Sequence, residues 1–316
     1  SINKQFKEGH GLSSFLSNRL GYSIPEDVQL SSKKLGKIAH LVDTILEEKM
    51  APGLQILVAR HGKVVYQKSF GFHTDKKKQS VLNSDLYDVA SLTKILTTLP
   101  LVMKAEDQGK LSLSTSIKKL LPEFKNSNKD TVTIKEILSH YGGLQSWIPF
   151  YKKTQDSVTQ KKLAQFYRSK TSKKYRLKVA ENLFLKTSYQ DSIYQLIKEA
   201  PQQDSVSYKY SDLGYYILKK ALEKIYRKPL NKLANEYFYK VLGADRTTFI
   251  PLSKFSKTEI VPSENDTYFR NQLIHGTVHD MGAAMLGGVG GHAGLFANAN
   301  DIAKMMQLYL QNGYYG

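Results

Sequence analysis

A short apolar segment that leads directly into a helix is the feature that most restricts how this chain folds. Leu86 to Ala90 has the character of a short buried segment, and from Ser91 onward apolar residues recur at helical spacing. The residues that mark this helical face are Ile95, Leu96, Leu99, Val102 and Met103. The pattern predicts that Ser91 lies at or near a helix N-terminus.

The residue types at this junction are suited to nucleophilic catalysis. The unpaired N–H groups and the dipole at a helix N-terminus favour developing negative charge. Lys94 follows Ser91 by three residues and therefore lies on the same helical face. A serine hydroxyl becomes a nucleophile when a neighbour takes its proton, and a desolvated lysine amine can do so. One turn thus supplies a nucleophile, a candidate base and part of an oxyanion site.

The same spacing has a simpler explanation, because a serine that caps a helix is often followed by a solvated lysine. Serine precedes lysine by three residues at Ser1 and Lys4, Ser31 and Lys34, and Ser116 and Lys119. The apolar flanks of Ser91 and Lys94 distinguish this pair, since Ser31 and Ser116 lie in polar, lysine-rich surroundings.

Composition narrows the class of protein. The 316 residues suffice for one large domain or two closely joined ones, and no apolar run approaches the roughly 18 residues of a membrane span. The chain contains no cysteine, which excludes disulfides, thiolate catalysis and thiolate metal sites. The net charge of +18 is spread along the chain without an aromatic-interleaved basic motif. We therefore expect solubilising charge and no nucleic-acid partner.

The first part of the chain predicts a tail, a helix and a β-hairpin. Residues 1–35 are rich in Ser, Gly and Lys and indicate an extended tail or linker. Helical periodicity over Leu35–Lys49 predicts an amphipathic helix. Two β-type runs, Leu54–Ala59 and Val64–Phe70, flank the turn signal His61-Gly62-Lys63.

The remainder is mostly helical. Pro100 is expected to kink the helix that follows Ser91, and Thr133 with Glu136 predicts a capping box. Further helices are predicted over residues 191–200, 213–226, 230–242 and 301–310. The basic stretch 151–186 has few apolar anchors apart from Leu163, Phe166 and Val179, and it indicates a surface insertion. A hairpin before the Ser91 helix and a mostly helical stretch after it favour an α/β sheet with an inserted helical lobe.

Tyr210-Ser211-Asp212 is a second candidate constellation. A tyrosine at a helix start beside a lysine can relay protons. The signal is weak by itself, because Tyr189-Gln190-Asp191 has the same form and buried structural tyrosines are common.

Several pieces together resemble the serine β-lactamase-like hydrolases, which include class C β-lactamases, D-alanyl-D-alanine carboxypeptidases and related esterases. The likeness covers about residues 36–316, with the pieces in the order of that family. They are Pro52-Gly53 with the hairpin to Gly71, Ala90-Ser91-Leu92-Thr93-Lys94, Ile137-Leu138-Ser139-His140-Tyr141-Gly142-Gly143-Leu144, Tyr210-Ser211-Asp212-Leu213-Gly214-Tyr215, Val278-His279-Asp280, and Gly291-His292-Ala293-Gly294-Leu295-Phe296 running into Asp301.

The resemblance implies a β-lactamase/transpeptidase-like α/β (α+β) fold, with an antiparallel sheet flanked by helices and a mostly helical lobe. It implies an acyl-enzyme mechanism on an ester, amide or peptide-like substrate, for which a cell-wall peptide is one candidate. It also implies an exported or periplasmic protein. Ser91 would be the nucleophile, Lys94 the general base and Tyr210 a proton relay, with the Ser91 N–H as oxyanion donor. Asp212, His292 and Gly294 are the implied substrate-binding residues, and no cofactor or metal is implied.

Two departures from the family pattern affect these expectations. The third motif, His-x-Gly or Lys-Thr-Gly on a late strand, should follow the helix that ends near Leu310, and the sequence ends at Gly316. We therefore expect the last C-terminal strands to be lacking, since His292-Ala293-Gly294 falls before that helix. Position 212 is Asp where the lactamases usually carry Asn. A carboxylate only accepts hydrogen bonds and holds a lysine charged, which disfavours β-lactam turnover.

The N-terminal region carries a second resemblance. Phe6-Lys7-Glu8-Gly9-His10-Gly11-Leu12 and Arg19-Leu20-Gly21-Tyr22 resemble the junction after a family 3 glycoside hydrolase in Bacteroidetes-type fusions. Residues 1–35 are then a linker from a preceding glycosidase module, and residues 36–316 the hydrolase domain. The alternative function is a catalytically weak or inactive binding module attached to such a glycosidase.

Histidines elsewhere suggest structural roles. His275, His279 and Asp280 have spacing that could hold a metal, but Gly276 intervenes, so a hydrogen-bonded loop near the pocket is favoured. His140 is expected to tie the turn at Gly142-Gly143.

Overall fold

The computed structural model describes residues 19–203 and 207–316. The predicted tail segment 6–12 and the Ser1–Lys4 pair lie outside the described residues. The helices in chain order are α1 (Ser32–Glu47), α2 (Leu99–Asp107), α3 (Ile117–Leu120), α4 (Ile134–Leu138), α5 (Tyr189–Glu199), α6 (Leu213–Tyr226), α7 (Leu230–Ala234), α8 (Lys240–Leu242), α9 (Met281–Met285) and α10 (Ala299–Leu310). The strands are β1 (Gly21–Tyr22), β2 (Gly53–Arg60), β3 (Lys63–Gly71), β4 (Tyr87–Asp88), β5 (Tyr167–Arg168), β6 (Leu177–Ala180), β7 (Leu183–Leu185), β8 (Thr248–Phe249), β9 (Glu264–Asp266), β10 (Gln272–Ile274) and β11 (Leu295–Ala297).

The predicted hairpin is confirmed and forms the longest strand pair of the described chain. Strands β2 and β3 are antiparallel, with a register shift between Val58 and Ala59, and the short β1 adds to β3 in parallel. Helix α1 packs against β3 and α10 against β2. The expected antiparallel sheet with flanking helices is therefore present.

A second small sheet carries the junction before Ser91. Strand β11 lies between β4 and β8 and is antiparallel to both. The N–H of Val89 also donates to the carbonyl of Leu295, at 3.0 Å. This pairing holds the end of β4 against the segment that contains His292.

The helical lobe is organised around α6. This helix contacts α2, α3, α4, α5 and α7. Most of its first ten residues are buried, because the five neighbouring helices cover more than a single apolar stripe. The predicted bounds of α6 are those observed, and the predicted capping box of Thr133 and Glu136 is confirmed at the start of α4.

Pro100 changes the helix after Ser91 in a different way from the expected kink. Residues Lys94–Thr98 form a π-helical turn, and α2 then begins at Leu99 with Pro100 in its first turn. Because proline has no N–H, it is tolerated in a first turn, and the π turn lets the chain restart the α-helix there.

The description of residues 151–186 as a surface insertion with few apolar anchors is wrong in part. Strands β5, β7 and β6 form a three-stranded antiparallel sheet in this region. Val179, Ala180 and Leu185 are fully buried, and β6 packs against α9. Val179 is one of the anchors that the sequence indicated, whereas Ala180 and Leu185 lie in runs too short to stand out among the lysines.

The glycines near 290 are close-packed. A Cβ on Gly291 would lie 2.2 Å from the carbonyl oxygen of Tyr215, and Gly294 has φ +116°. Only glycine permits this approach of the 287–294 segment to α6.

The N-terminal division at residue 35 remains a prediction. Within residues 19–35, the structure places β1, a 3-10 helix at Pro25–Val28 and the first turn of α1. In the described ranges no helix combines the length and apolar character required to cross a bilayer.

Candidate active site

The turn at Ser91 is held by the carboxylate of Asp88. Ala90 has φ +45°, a left-handed conformation that is unfavourable for a residue with a side chain. Asp88 accepts hydrogen bonds from the N–H of Ala90 at 2.9 Å and from the N–H of His279 at 2.7 Å. Burial raises the pKa of Asp88, and these two bonds oppose that effect. The bracing leaves Ser91 exposed, and its N–H has no acceptor within the described part of the chain.

Thr93 fixes the first turn of this helix to the neighbouring strand. Its hydroxyl donates to the carbonyl of Ala90 at 2.7 Å and accepts from the N–H of Leu295 at 3.1 Å. Because Thr93 is fully buried, these bonds are shielded from water. The position of Ser91 relative to β11 is therefore well defined.

Lys94 is the centre of the site. The residue is only 3% exposed, and its Nζ donates to Ser91 Oγ at 2.8 Å. Nζ also lies 2.7 Å from Asp212 Oδ1, an ion pair without hydrogen-bond geometry, and 3.5 Å from the carbonyl oxygen of His292. A buried ammonium needs such partners, since desolvation of an unpaired charge is strongly unfavourable.

Two tyrosines flank the Lys94 ammonium. It lies 4.7 Å from the ring centroid of Tyr210 and 5.5 Å from that of Tyr215. Burial raises the pKa of Tyr215 to about 12, with a further contribution from Tyr210. Tyr215 therefore stays a phenol at neutral pH, whereas Tyr210 is 42% exposed at the cleft.

A histidine–carboxylate pair lies behind Lys94. His292 Nε2 is 2.8 Å from Asp280 Oδ1, and the His292 ring stacks on Tyr216 with centroids 4.1 Å apart. Burial opposes the ionisation of Asp280, but the charge and hydrogen bond of His292, the N–H of Ala283 and the charge of Lys94 together lower its pKa to about 2. This pair fixes the backbone whose carbonyl faces Lys94.

A cavity of about 230 Å³ adjoins these groups. Asp212 belongs both to its wall and to the ion pair with Lys94. The wall is largely aromatic and aliphatic, with two carboxylates, and consists of Trp147, Ile148, Pro149, Phe150, Tyr151, Asp212, Tyr216, Asp280, Met281 and Gly282. A mainly apolar cavity with a few polar groups is typical of a small-molecule or peptide site.

Comparison with known proteins places this geometry in a family. The family model described as Beta-lactamase matches residues 38–314. The chain belongs to the Beta-lactamase family. This is a family of serine hydrolases whose relatives include carboxypeptidases and β-lactamases.

Among the relatives is an N-acetylmuramyl-L-alanine amidase from Bacillus subtilis, 28% identical over 320 residues, which covers 92% of this chain and 66% of the amidase. The chain thus spans about two thirds of the length of the curated relatives it matches.

Two solved structures show the Beta-lactamase fold of the chain. A β-lactamase/D-alanine carboxypeptidase from Pseudomonas syringae has a TM-score of 0.65 at 16% identity, covering 90% of this chain and 67% of that one. An octameric penicillin-binding protein homologue from Pyrococcus abyssi has a TM-score of 0.65 at 19% identity, covering 89% and 57%. The predicted β-lactamase/transpeptidase-like fold is confirmed.

The other serine–lysine pairs in the described residues differ from the one in this Beta-lactamase-family site. Ser31 caps α1 by accepting from the N–H of Lys34, and Lys34 is exposed. Ser116 precedes α3, and Lys119 is exposed. Burial of the lysine therefore separates Ser91 and Lys94 from pairs with equal spacing.

The structure brings Ser91, Lys94, Tyr210 and Asp212 together. The His292 side chain is 2% exposed and bonded to Asp280, and Gly294 is buried against the carbonyl of Gly288. Substrate contact by His292 and Gly294 stays a prediction.

The candidate metal residues do not converge. His275 Nε2 lies within hydrogen-bond distance of the carbonyls of Lys257 and Ile260, and Asp280 pairs with His292. In the ranges the structure covers, no three acidic or histidine side chains form a cluster suited to a metal ion.

Sequence reasoning missed several residues that shape the site. Asp88 precedes the left-handed Ala90, and an Asp two residues before a tight turn was an available signal for its bracing role. His140 packs against Tyr210, with ring centroids 4.5 Å apart, rather than acting only at its own turn. The place of Trp147 in the cavity had no sequence signal, because it depends on the packing of a loop.

Proposed function

We propose that this chain is a serine hydrolase that acts through an acyl-enzyme on an ester, amide or peptide-like substrate. The observation that carries the proposal is the buried Lys94 ammonium 2.8 Å from the exposed Ser91 hydroxyl. Ser-x-x-Lys spacing alone does not distinguish this pair, whereas burial of the lysine beside the hydroxyl does.

The chemistry follows from the positions of these groups. Ser91 Oγ attacks the acyl carbon while its proton passes to the unprotonated amine of Lys94, and the new oxyanion meets the free N–H of Ser91. Tyr210, beside Lys94, carries that proton to the leaving group as the acyl–leaving-group bond breaks. Water then hydrolyses the Ser91 ester by the reverse proton path.

Asp212 favours ester or peptide-like acyl donors over β-lactams. Its carboxylate accepts hydrogen bonds but donates none, so it offers nothing to a substrate carbonyl. Its Oδ1 also lies 2.7 Å from Lys94 Nζ, so the carboxylate competes with the Ser91 hydroxyl for the amine.

The substrate class we propose is a cell-wall peptide or a related acyl compound. The largely aromatic cavity beside Asp212 is suited to an extended, partly apolar acyl group. The names of the amidase relative and of the carboxypeptidase with a similar fold agree with a cell-wall substrate. Export to the periplasm is part of this proposal.

The test is covalent labelling. We expect a fluorophosphonate to add one phosphonyl group to Ser91, as seen by intact mass and peptide mapping, and Ser91→Ala to abolish the adduct. Ser116→Ala is the matched control, because Ser116 has the same spacing to Lys119 without a buried lysine. Absence of an adduct on Ser91 in the native protein would overturn the proposal.

A non-catalytic binding module is the second candidate. The Lys94–Asp212 ion pair favours it, since a lysine paired with a carboxylate is less available to take the proton of Ser91. It predicts saturable muropeptide binding without turnover of p-nitrophenyl esters or nitrocefin. In this candidate, the module is attached to a family 3 glycosidase.

A further inference from the structure

His140 is bonded to both residues that flank Tyr210. It follows α4 with φ +60°, and its carbonyl accepts from the N–H of Lys209 at 2.9 Å. Its Nδ1 accepts from the N–H of Ser211 at 3.2 Å. One side chain and its own backbone therefore hold the chain on either side of Tyr210.

The His140 ring also packs on the Tyr210 ring itself. The centroids are 4.5 Å apart with the planes tilted by 40°, while the Tyr215 ring is 5.8 Å away. The Tyr210 hydroxyl has no hydrogen-bond partner within the described residues, and the residue is 42% exposed. Its orientation therefore depends on ring packing, and His140 provides the closest aromatic contact.

The adjacent loop completes the attachment. Ser211 Oγ donates to the carbonyl of Gln145 at 2.6 Å, and the N–H of Asp212 donates to the carbonyl of Ser146 at 2.8 Å. These bonds fix the residues after Tyr210, and His140 is the aromatic side chain that contacts the Tyr210 ring directly.

The bond from Ser211 defines the protonation state of His140. Nδ1 must carry a lone pair to accept this N–H, so the neutral ring has its proton on Nε2. Burial and the charge of Lys94 lower the pKa of His140, and Asp212 opposes them. The other titratable groups that face the ring are the phenols of Tyr208, Tyr210 and Tyr215.

We propose that His140 is a positioning residue that holds the Tyr210 phenol beside Lys94 and releases it when Nδ1 is protonated. This inference rests on the proposed hydrolase function. His140 contacts none of the reacting atoms. A proton on Nδ1 would meet the N–H of Ser211, break that bond and loosen both the ring contact and the Tyr210 backbone.

The test compares three variants in the native protein. His140→Ala removes the acceptor and the ring, while His140→Asn keeps an acceptor near the Nδ1 position and tolerates positive φ. His61→Ala is the matched control, because His61 also has positive φ, +51°, in an exposed turn of the β2–β3 hairpin. Thermal unfolding is measured for each variant, and His140→Asn decides the outcome if His140→Ala does not fold.

We expect His140→Ala to lower kcat for a p-nitrophenyl ester by about 10- to 100-fold with KM changed less than about threefold, as for lost orientation of a proton-transfer group. His140→Asn should recover most of kcat. Because burial and the charge of Lys94 lower the pKa of His140, the native enzyme should lose kcat only at a pH below the ordinary histidine pKa, and His140→Asn should lack this limb. His61→Ala should match the native enzyme.

The outcomes separate this inference from the proposed function. Fluorophosphonate labelling of native Ser91 is measured first, and its absence overturns both. If Ser91 is labelled and the ester is turned over, then an unchanged kcat in His140→Ala overturns the positioning role alone. Equal losses in His140→Ala and His140→Asn, or an acid limb that persists in His140→Asn, also overturn it.

Discussion

The Lys94 ammonium lies 2.7 Å from the Asp212 carboxylate, and both side chains are largely withdrawn from water. The two residues are more than one hundred positions apart in sequence, on the helix after Ser91 and at the start of α6. The ion pair therefore joins the two halves of the candidate site. It also competes with the Ser91 hydroxyl for the same amine, which sets how readily that amine serves as a base.

Replacing the carboxylate by an amide should make Lys94 a better base. We expect Asp212→Asn to raise the rate constant for acylation of Ser91 by a penicillin roughly tenfold, corresponding to about 1.4 kcal/mol. The amide has no charge to pair with the lysine amine and can donate to a substrate carbonyl. Time-resolved intact-mass measurement gives the rate, with Asp130→Asn, which loses a separate ion pair to Lys118, as control. An unchanged or slower rate would contradict the explanation.

The same ion pair should be visible in stability. Lys94→Met leaves the Asp212 carboxylate without its partner, and we expect the free energy of unfolding to fall by about 3 kcal/mol. The double variant Lys94→Met/Asp212→Leu should recover at least half of this loss, because it removes the uncompensated charge. Urea unfolding measures both, and Lys119→Met, at an exposed lysine, should change stability by less than about 0.5 kcal/mol. A double variant as unstable as the single one contradicts this account.

Two glycines should respond in opposite directions to alanine. A Cβ on Gly291 would lie 2.2 Å from the Tyr215 carbonyl, so Gly291→Ala should destabilise by about 2 kcal/mol or more and reduce ester hydrolysis. Gly36 lies within α1 with no atom near the added Cβ, so Gly36→Ala should stabilise by about 0.5–1 kcal/mol. Thermal and urea unfolding of the two variants test this contrast. Similar effects at the two sites would refute it.

Asp280 should contribute to acid unfolding. Its pKa falls from 3.8 to about 2 on folding, so its stabilising contribution is present above pH 3.8 and is lost as the pH falls towards 2. Asp280→Asn should be less stable at neutral pH and lose less stability between pH 4 and pH 2. Urea unfolding across this range measures the difference, with Asp107→Asn on the exposed end of α2 as control. Parallel pH profiles for native protein and Asp280→Asn would exclude the effect.

Trp147 should affect substrate binding more than chemistry. It lines the cavity and is 53% exposed, so its removal leaves the interior intact. We expect Trp147→Ala to raise KM for bulky p-nitrophenyl esters about fivefold or more. This corresponds to about 1 kcal/mol of binding free energy, lost with one apolar contact surface. Stability should change by less than about 0.5 kcal/mol. Val158→Ala, at a highly exposed residue, is the control, and an unchanged KM would place the acyl group elsewhere.

Local signals predicted the elements that surround the site. The hairpin followed from alternation around His61-Gly62-Lys63, and the start of α4 followed from Thr133 and Glu136. These features depend on residues within one turn or one hairpin, where steric preference and backbone hydrogen bonding act directly. The buried strands of residues 151–186 were missed, because their apolar residues are too few per strand to show a period.

By itself the sequence determined that Ser91 and Lys94 share one helical face, since that depends only on the geometry of a single turn. It did not determine that Lys94 is buried whereas Lys34 and Lys119 are exposed, nor that Asp212, Tyr210 and His140 gather around it. Those relationships arise from packing α6 against the helix after Ser91 and from the loop after α4. Contacts between segments that are distant in sequence form only when the complete core packs, and the periodicity of the sequence does not predict them.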